Sequence, residues 1–281
     1  MKEGTDMALT EKEIQELTRI GRQKMHPGLE HYEGYKTDQE LKKPQPPLVK
    51  AAMCDESIAL PLNFTDLDID NDFLHVINSR QSHRVYTQEK MSLLQLSYLL
   101  WCSQGVKEIR GKSYATLRTV PAGGARHPFE VYMTVQNVEG LKDGFYHYLP
   151  MKHHIECLKE AEDLKPFITE SLQGQKWAEK ANIVFYYSFV CYRAEWRYGI
   201  HAHRMCMADA GHVTENVYLS ATSIGLGGCA IGAVDGPVCD KEFGLDGEEE
   251  FVFYAMPVGT ISDKDKQAEK DFYRFVEEEG L

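Results

Sequence analysis

Arg80, Ser82 and Arg84 stand at alternate positions in the segment Ser79-Arg80-Gln81-Ser82-His83-Arg84. In an extended chain such positions share one face, so two guanidinium groups and a hydroxyl would point the same way. Guanidinium forks onto the oxygens of phosphates and ring carbonyls. The chemistry is therefore a clamp for an anion or a heterocycle. The alternative is a solvated helix end, where cations meet the negative end of the helix dipole. A second segment runs Arg118-Thr119-Val120-Pro121-Ala122-Gly123-Gly124-Ala125-Arg126-His127-Pro128. Small residues between two prolines leave backbone N–H groups uncovered, so the loop can lie flat on a ligand. Arg118, Arg126 and His127 add donors; a plain connecting loop is the alternative.

A third segment, Gly225 to Ala233, contains four glycines and superficially suggests a dinucleotide loop. A Rossmann fingerprint must follow a strand and open a helix. Here the glycines follow a predicted helix and open a predicted strand, so that fold is rejected. What remains is a run, Ala230, Ile231, Gly232 and Ala233, that can present backbone N–H groups to a planar ligand. A fourth segment holds Arg193, Trp196, Arg197 and Tyr198, then His201 and His203. Two histidines two residues apart do not face each other on a helix, and no third ligand pairs with them, so no metal is expected. Aromatics and arginines in such a run more often cover a pocket or an interface. His153 and His154 read as surface residues. The chain has no Gly-x-Ser-x-Gly elbow and no phosphate-binding Walker loop, so a serine hydrolase or an NTPase is not indicated.

The elements that must position these segments are legible in outline. Thr10 and Glu13 have capping-box spacing and predict a helix over 10–24. From His26 to Pro61 five prolines predict an extended, irregular course. We read residues 1–70 as an N-terminal arm wrapping the body, and 71–281 as the ligand-binding domain; a disordered tail is the alternative for the arm. Residues 70–79 predict a helix with Phe73, Val76 and Ile77 on its inner face. Ser92 and Gln95 open another, ended by Gly105. Residues 130–137, 144–149, 182–190, 228–234 and 250–258 predict strands, 182–190 the central one. A long helix is expected over 201–224, where Ala208, Ala210 and Gly211 would admit another backbone, and a short one over 237–244. Helices and strands mix without strict alternation, which favours an α+β fold.

Composition sets the outer limits. The 281 residues suggest one or two domains. Forty-three acidic against 31 basic residues give a net charge of −12. That argues against sequence-independent nucleic-acid binding and against docking on anionic membrane. The seven cysteines form no Cys-x-x-Cys pair, so neither a disulfide framework nor a thiolate zinc site is indicated. The charged N-terminus lacks the apolar core of a signal peptide. A cytoplasmic location with free thiols is the expectation.

Taken in order, the segments resemble the FMN-dependent nitroreductase superfamily, and within it the branch of SagB/ThcOx-type dehydrogenases, the azoline oxidases, and their stand-alone relatives. The resemblance spans roughly 72–260. It rests on Arg-x-Ser-x-Arg at 80–84, Leu-Ser-Tyr-Leu-Leu-Trp-Cys-Ser-Gln-Gly at 96–105, Arg-Thr-Val-Pro-Ala-Gly-Gly-Ala-Arg-His-Pro at 118–128, Trp-Arg-Tyr-Gly at 196–199, Asp-Ala-Gly-His at 209–212, Gly-Leu-Gly at 225–227 and Pro-Val-Gly at 257–259. It implies an α+β sandwich with a mostly antiparallel sheet flanked by helices, in an intertwined homodimer with FMN in two interfacial sites. Arg80, Ser82 and Arg84 would then hold the phosphate and pyrimidine edge. Pro121, Ala122, Gly123, Gly124 and Ala125 would lie near the ring, partly from the partner subunit. Ala230, Ile231, Gly232 and Ala233 would place N–H groups beside it. Arg126, His127 and Tyr198 are the candidates on the substrate side.

The implied activity is an FMN-dependent oxidoreductase. NAD(P)H would supply hydride for a small acceptor such as a nitroaromatic, quinone or enone. Two alternatives stay open: an azoline-type oxidase or dehydrogenase on a peptide, and a non-catalytic flavin-binding regulatory protein. The chain departs from the family pattern at Ala122, where serine is frequent, and at Ala125, where many members carry asparagine. The basic residue that in the family meets the phosphate near the C-terminus is not placed by the pattern; Lys264 and Lys266 are candidates.

Overall fold

The computed structural model describes residues 9–26, 32–262 and 265–280. Alternating apolar side chains build a seven-stranded sheet with a core on each face. β1 is Ile58–Ala59, β4 Phe129–Val135, β5 Gly144–Leu149, β6 His154–Glu160, β7 Ile183–Val190, β8 Leu226–Gly228 and β9 Glu250–Thr260. The order is β1-β6-β5-β4-β7-β9-β8, and every neighbouring pair is antiparallel. A separate hairpin joins β2, Val106–Arg110, to β3, Ala115–Arg118.

The period of two along β7 sorts its residues. Ile183, Phe185, Tyr187 and Phe189 enter one core, with Leu96, Leu99 and Leu100 of α3 (Leu93–Gln104) and Val213, Val217 and Ala221 of α6 (Ala202–Ser223). Val184 and Tyr186 enter the other, with Ile168 of α4 (Lys165–Ser171) and Cys239 and Phe243 of α7 (Gly236–Phe243). The result is an α+β sandwich with helices on both faces of an antiparallel sheet. Among the described residues no helix is long and apolar enough to cross a membrane.

Local signals explain most of the element starts. α1, Glu11–Met25, opens on the Thr10–Glu13 capping box, and α3 on the Ser92–Gln95 box. α2, Phe73–Ser79, is capped by Asp72, whose side chain accepts from Leu74 and His75 N–H. Here the structure corrects the expectation: only Val76 is buried, while Phe73 and Ile77 face outward. The predicted strand over 228–234 is also shorter. It breaks after Gly228 because Ala230 N–H turns to the Tyr218 hydroxyl instead of the ladder, and only Ile231 bridges back to Ala255.

The segment before α2 is fastened along the body. Gln39 N–H donates to the Trp196 carbonyl, Lys50 N–H to Glu130, and Met53 and Cys54 N–H to Glu156. Leu60 is buried in the α3–α6 core and β1 pairs with β6. Pro27 and Lys264 lie outside the described residues.

Candidate functional site

Residues 80–84 leave the end of α2 in extended form, with Ser82 bridging to Gly228 and His83 N–H donating to the Gly228 carbonyl. That pairing sets the clamp beside the strip that follows β8. The Arg80 guanidinium lies over the Tyr218 ring, 5.2 Å from its centroid. Ser82 Oγ is 3.0 Å from the Tyr218 hydroxyl, which also accepts Ala230 N–H at 2.7 Å. The buried Cys229 thiol is pushed up by desolvation, with Arg84, Ser82 and Tyr218 all near enough to influence it. Arg80, Ser82 and Ala230 thus come together around one tyrosine of α6.

Arg80 has no carboxylate partner among the described residues, so its charge is uncompensated. Arg84 is engaged on its other side by the helix α8, Asp265–Phe272, and by Tyr273 just after it. Its guanidinium bonds the Tyr273 hydroxyl and lies over the rings of Trp177, Phe272 and Tyr273. The Glu269 carboxylate accepts N–H from Arg84 and Val85, and its second oxygen is buried without a partner. Gly232 and Ala233 are exposed, and their N–H groups have no partner among the described residues, whereas Ile231 is buried and paired to Ala255. The donor set suits a ligand with a phosphate or ring carbonyls: one unpaired guanidinium, a serine hydroxyl and free backbone N–H groups.

The loop at 121–125 forms a second group. Gly123 N–H donates to Asp209 at 2.9 Å, and burial pushes that carboxyl up. Gly124 has φ +54, and a Cβ there would meet Arg197 Nε at 2.4 Å and the Tyr198 hydroxyl at 2.6 Å. Ala125 and His127 also take positive φ, at 54° and 45°, a region that strains side-chain-bearing residues. α5, Cys191–Tyr198, is therefore pressed against the loop, and Tyr198 stays half-buried there. Asp209 and Tyr218 are nine residues apart on α6, about 13 Å along its axis. One chain does not bring the loop onto the clamp.

The other candidate donors turn inward. Arg126 is buried between the Tyr114 and Trp196 rings, and donates to the Gly124 and Tyr114 carbonyls. His127 is buried, and desolvation, reinforced by Arg118, lowers its pKa to about 3. Arg118 itself donates to Gln104, Thr116 and the Leu48 carbonyl. These three brace the loop and the arm; the substrate-side expectation for Arg126 and His127 is corrected. His153 is also buried, bonded to Ser97 and Tyr148, contrary to the surface expectation.

Sequence reasoning missed Tyr218 and Glu269, and took Asp209 only as part of the Asp-Ala-Gly-His motif without a role. A tyrosine among the aliphatic positions of α6 was the one signal. Its partners lie 12 and 136 residues away, so spacing cannot name them.

Comparison with known proteins adds five findings. The model of the nitroreductase family matches residues 77–260. A Methanocaldococcus jannaschii protein named as a nitroreductase is 35% identical over 158 residues, which are 56% of this chain and 77% of that one. The trifolitoxin-processing protein TfxB of Rhizobium leguminosarum is 29% identical over 39% of this chain and 30% of its own length. Among solved structures, a Ralstonia eutropha protein described as a nitroreductase gives a TM-score of 0.60 at 24% identity, over 79% of this chain and 95% of that one. A chain of the Escherichia coli microcin synthetase McbBCD complex gives 0.55 at 18% identity, over 92% of this chain and 99% of its own.

Proposed function

The chain belongs to the nitroreductase family, and from that premise we propose that it is an FMN-dependent oxidoreductase that takes hydride from NAD(P)H and passes it to a small acceptor such as a nitroaromatic, quinone or enone. The observation that carries this reading is the uncompensated Arg80 guanidinium, stacked on Tyr218 beside Ser82 and the free N–H groups of Gly232 and Ala233. When bound, flavin supplies the hydride-transfer chemistry. Arg80 and Arg84 would balance the negative charge of the phosphate and the pyrimidine edge. The free N–H groups of Gly232 and Ala233 would orient the ring and favour its more electron-rich state, while those of Ala230 and Ile231 are spent on Tyr218 and Ala255. No side chain is required as a dedicated acid or base. Ala122 and Ala125 give the loop no side-chain polar group, so the loop acts through its backbone. We further propose that the functional unit is a homodimer, the 121–125 loop of one copy completing the clamp of the other.

A second reading, dehydrogenation of an azoline ring in a peptide, has its own support. The likeness to the microcin synthetase chain covers 92% of this chain, more than the 77–260 core.

The test is the visible spectrum of the purified chain before and after anaerobic NADH and then NADPH. A flavin spectrum that bleaches with either donor is expected. A flavin spectrum that bleaches only after an azoline peptide favours the second reading. A colourless chain that cannot be reconstituted with FMN overturns both.

A further inference from the structure

We infer that Tyr218 is the positioning residue of the cofactor edge, its phenol fixing the Ser82 hydroxyl as an outward donor and tying it to Ala230 and Arg80. The inference rests on the flavin reading above. Ala230 N–H can only donate, so the phenol oxygen accepts it, at 2.7 Å. The phenol has one proton of its own, and Ser82 Oγ faces it at 3.0 Å. Burial raises the phenol's pKa, which keeps that proton in place at neutral pH. With the phenol proton given to Ser82, the serine's own proton is left for a second acceptor. In the clamp that acceptor is a ligand oxygen or ring nitrogen. A serine without this tie would rotate freely and donate or accept by turns.

The same ring holds Arg80. The guanidinium sits 5.2 Å from the ring centroid, within the range of a cation–π contact. Tyr218 therefore acts through three groups: a directed hydroxyl, a cation held in place and the backbone of the strip after β8. Its anchor is α6, the longest helix, with Val217 and Ala221 buried on either side. The residue need not touch the ligand to set where the donors stand.

The test has two arms. In the flavin-free chain, amide hydrogen exchange should be slow at Ala230 and should speed up at least tenfold in Tyr218→Phe. Ile231, paired to Ala255, should not change. Equal exchange at Ala230 in the two proteins overturns the inference, and this arm needs no cofactor. In the second arm FMN is titrated by fluorescence quenching into wild type, Tyr218→Phe, Ser82→Ala and the double variant. Each single change should weaken binding about tenfold. The double variant should be no worse than either, because both remove one coupled donor. The bound flavin's midpoint potential should shift alike in the two single variants. Losses that multiply in the double variant, or wild-type affinity in Tyr218→Phe, overturn the inference alone. Normal exchange behaviour in a wild-type chain that takes up no FMN overturns the flavin reading and the ligand role of Tyr218 with it. If Tyr218→Phe does not fold, Ser82→Ala carries the second arm: unchanged affinity and potential there overturn the inference.

Discussion

A guanidinium half-covered by protein and lacking a carboxylate keeps its charge for whatever enters beside it. Arg80 is in that position. A hydrogen bond to a charged group is worth about 1.5–3 kcal/mol, so Arg80→Ala should weaken FMN binding roughly ten- to a hundredfold. Unchanged flavin content on purification would remove Arg80 from the site. The buried histidines lead to a different measurement. Desolvation lowers His127 to about 3 and His153 to about 4. Unfolded histidine titrates near 6.5. Between these values the unfolded chain takes up protons that the folded chain refuses, so stability falls as pH falls. Each histidine contributes up to about 1.4 kcal/mol per pH unit. His147 runs the other way: its folded pKa is raised by Glu130 and Glu156 against the cost of burial. Its contribution is full below 6.5 and is lost only as pH rises through the folded value. The melting temperature should therefore drop between pH 6.5 and 5, and drop less in His153→Gln. A flat profile would contradict the burial of both rings. At this scale the sequence made the grouping of Arg80 with Ser82 legible, because the two are neighbours in the chain, but not the turn of Arg84 toward Tyr273. It did not show that Arg126 and His127 point inward, since that depends on Tyr114, Trp196 and Arg118 arriving from elsewhere.

Elements with a strong period or a capping box were legible: α1, α3, α6, β4, β5, β7 and β9. Those missed share a physical reason. β2 carries charges at Lys107, Glu108 and Arg110 and β6 at Glu156, Lys159 and Glu160, so their apolar pattern is thin. α5 follows β7 with no linker and no side-chain cap. The arm's course was legible as irregular, but not its anchorage, which is made of backbone N–H groups donating to buried carboxylates. Glu130 is the centre of that anchorage. It accepts Lys50 N–H at 2.8 Å, pairs with Arg193 at 2.6 Å and faces His147 at 3.5 Å. These neighbours hold its pKa well below the carboxylate range despite full burial. Removing one partner of a buried pair costs about 3–5 kcal/mol, because the other charge stays buried alone. Glu130→Ala should lower the urea midpoint accordingly, and limited proteolysis should then cut within residues 36–57. A variant with the wild-type midpoint would show that Arg193 finds another counter-charge.

The whole-molecule question is whether one chain makes a complete site. The loop at 121–125 meets α6 at Asp209 and the clamp meets it at Tyr218, about 13 Å apart along the helix, which supports completion by a second copy. The outer face of α6 suits close approach: Ala208 and Gly211 are exposed, and a Cβ on Gly211 would meet nothing within 4 Å. Ala210, expected on that face, is buried instead. Beside it α2 turns Phe73 and Leu74 outward, 69% and 68% exposed. They adjoin a groove of about 510 Å³ lined by Phe73, Val76, Trp101 and Leu219. In the homodimer proposed above, these apolar side chains would lie in the contact between the copies. Each copy carries a net charge of −12, so two copies repel at long range. Salt screens that repulsion beyond about 10 Å at 0.1 M and leaves the apolar contact intact. Association should therefore tighten as salt is raised. Light scattering should give twice the 32.1 kDa chain mass, and Leu74→Glu should give the single mass with FMN lost in parallel. A wild-type chain that is monomeric and fully loaded with flavin would show instead that the clamp suffices without the partner's loop.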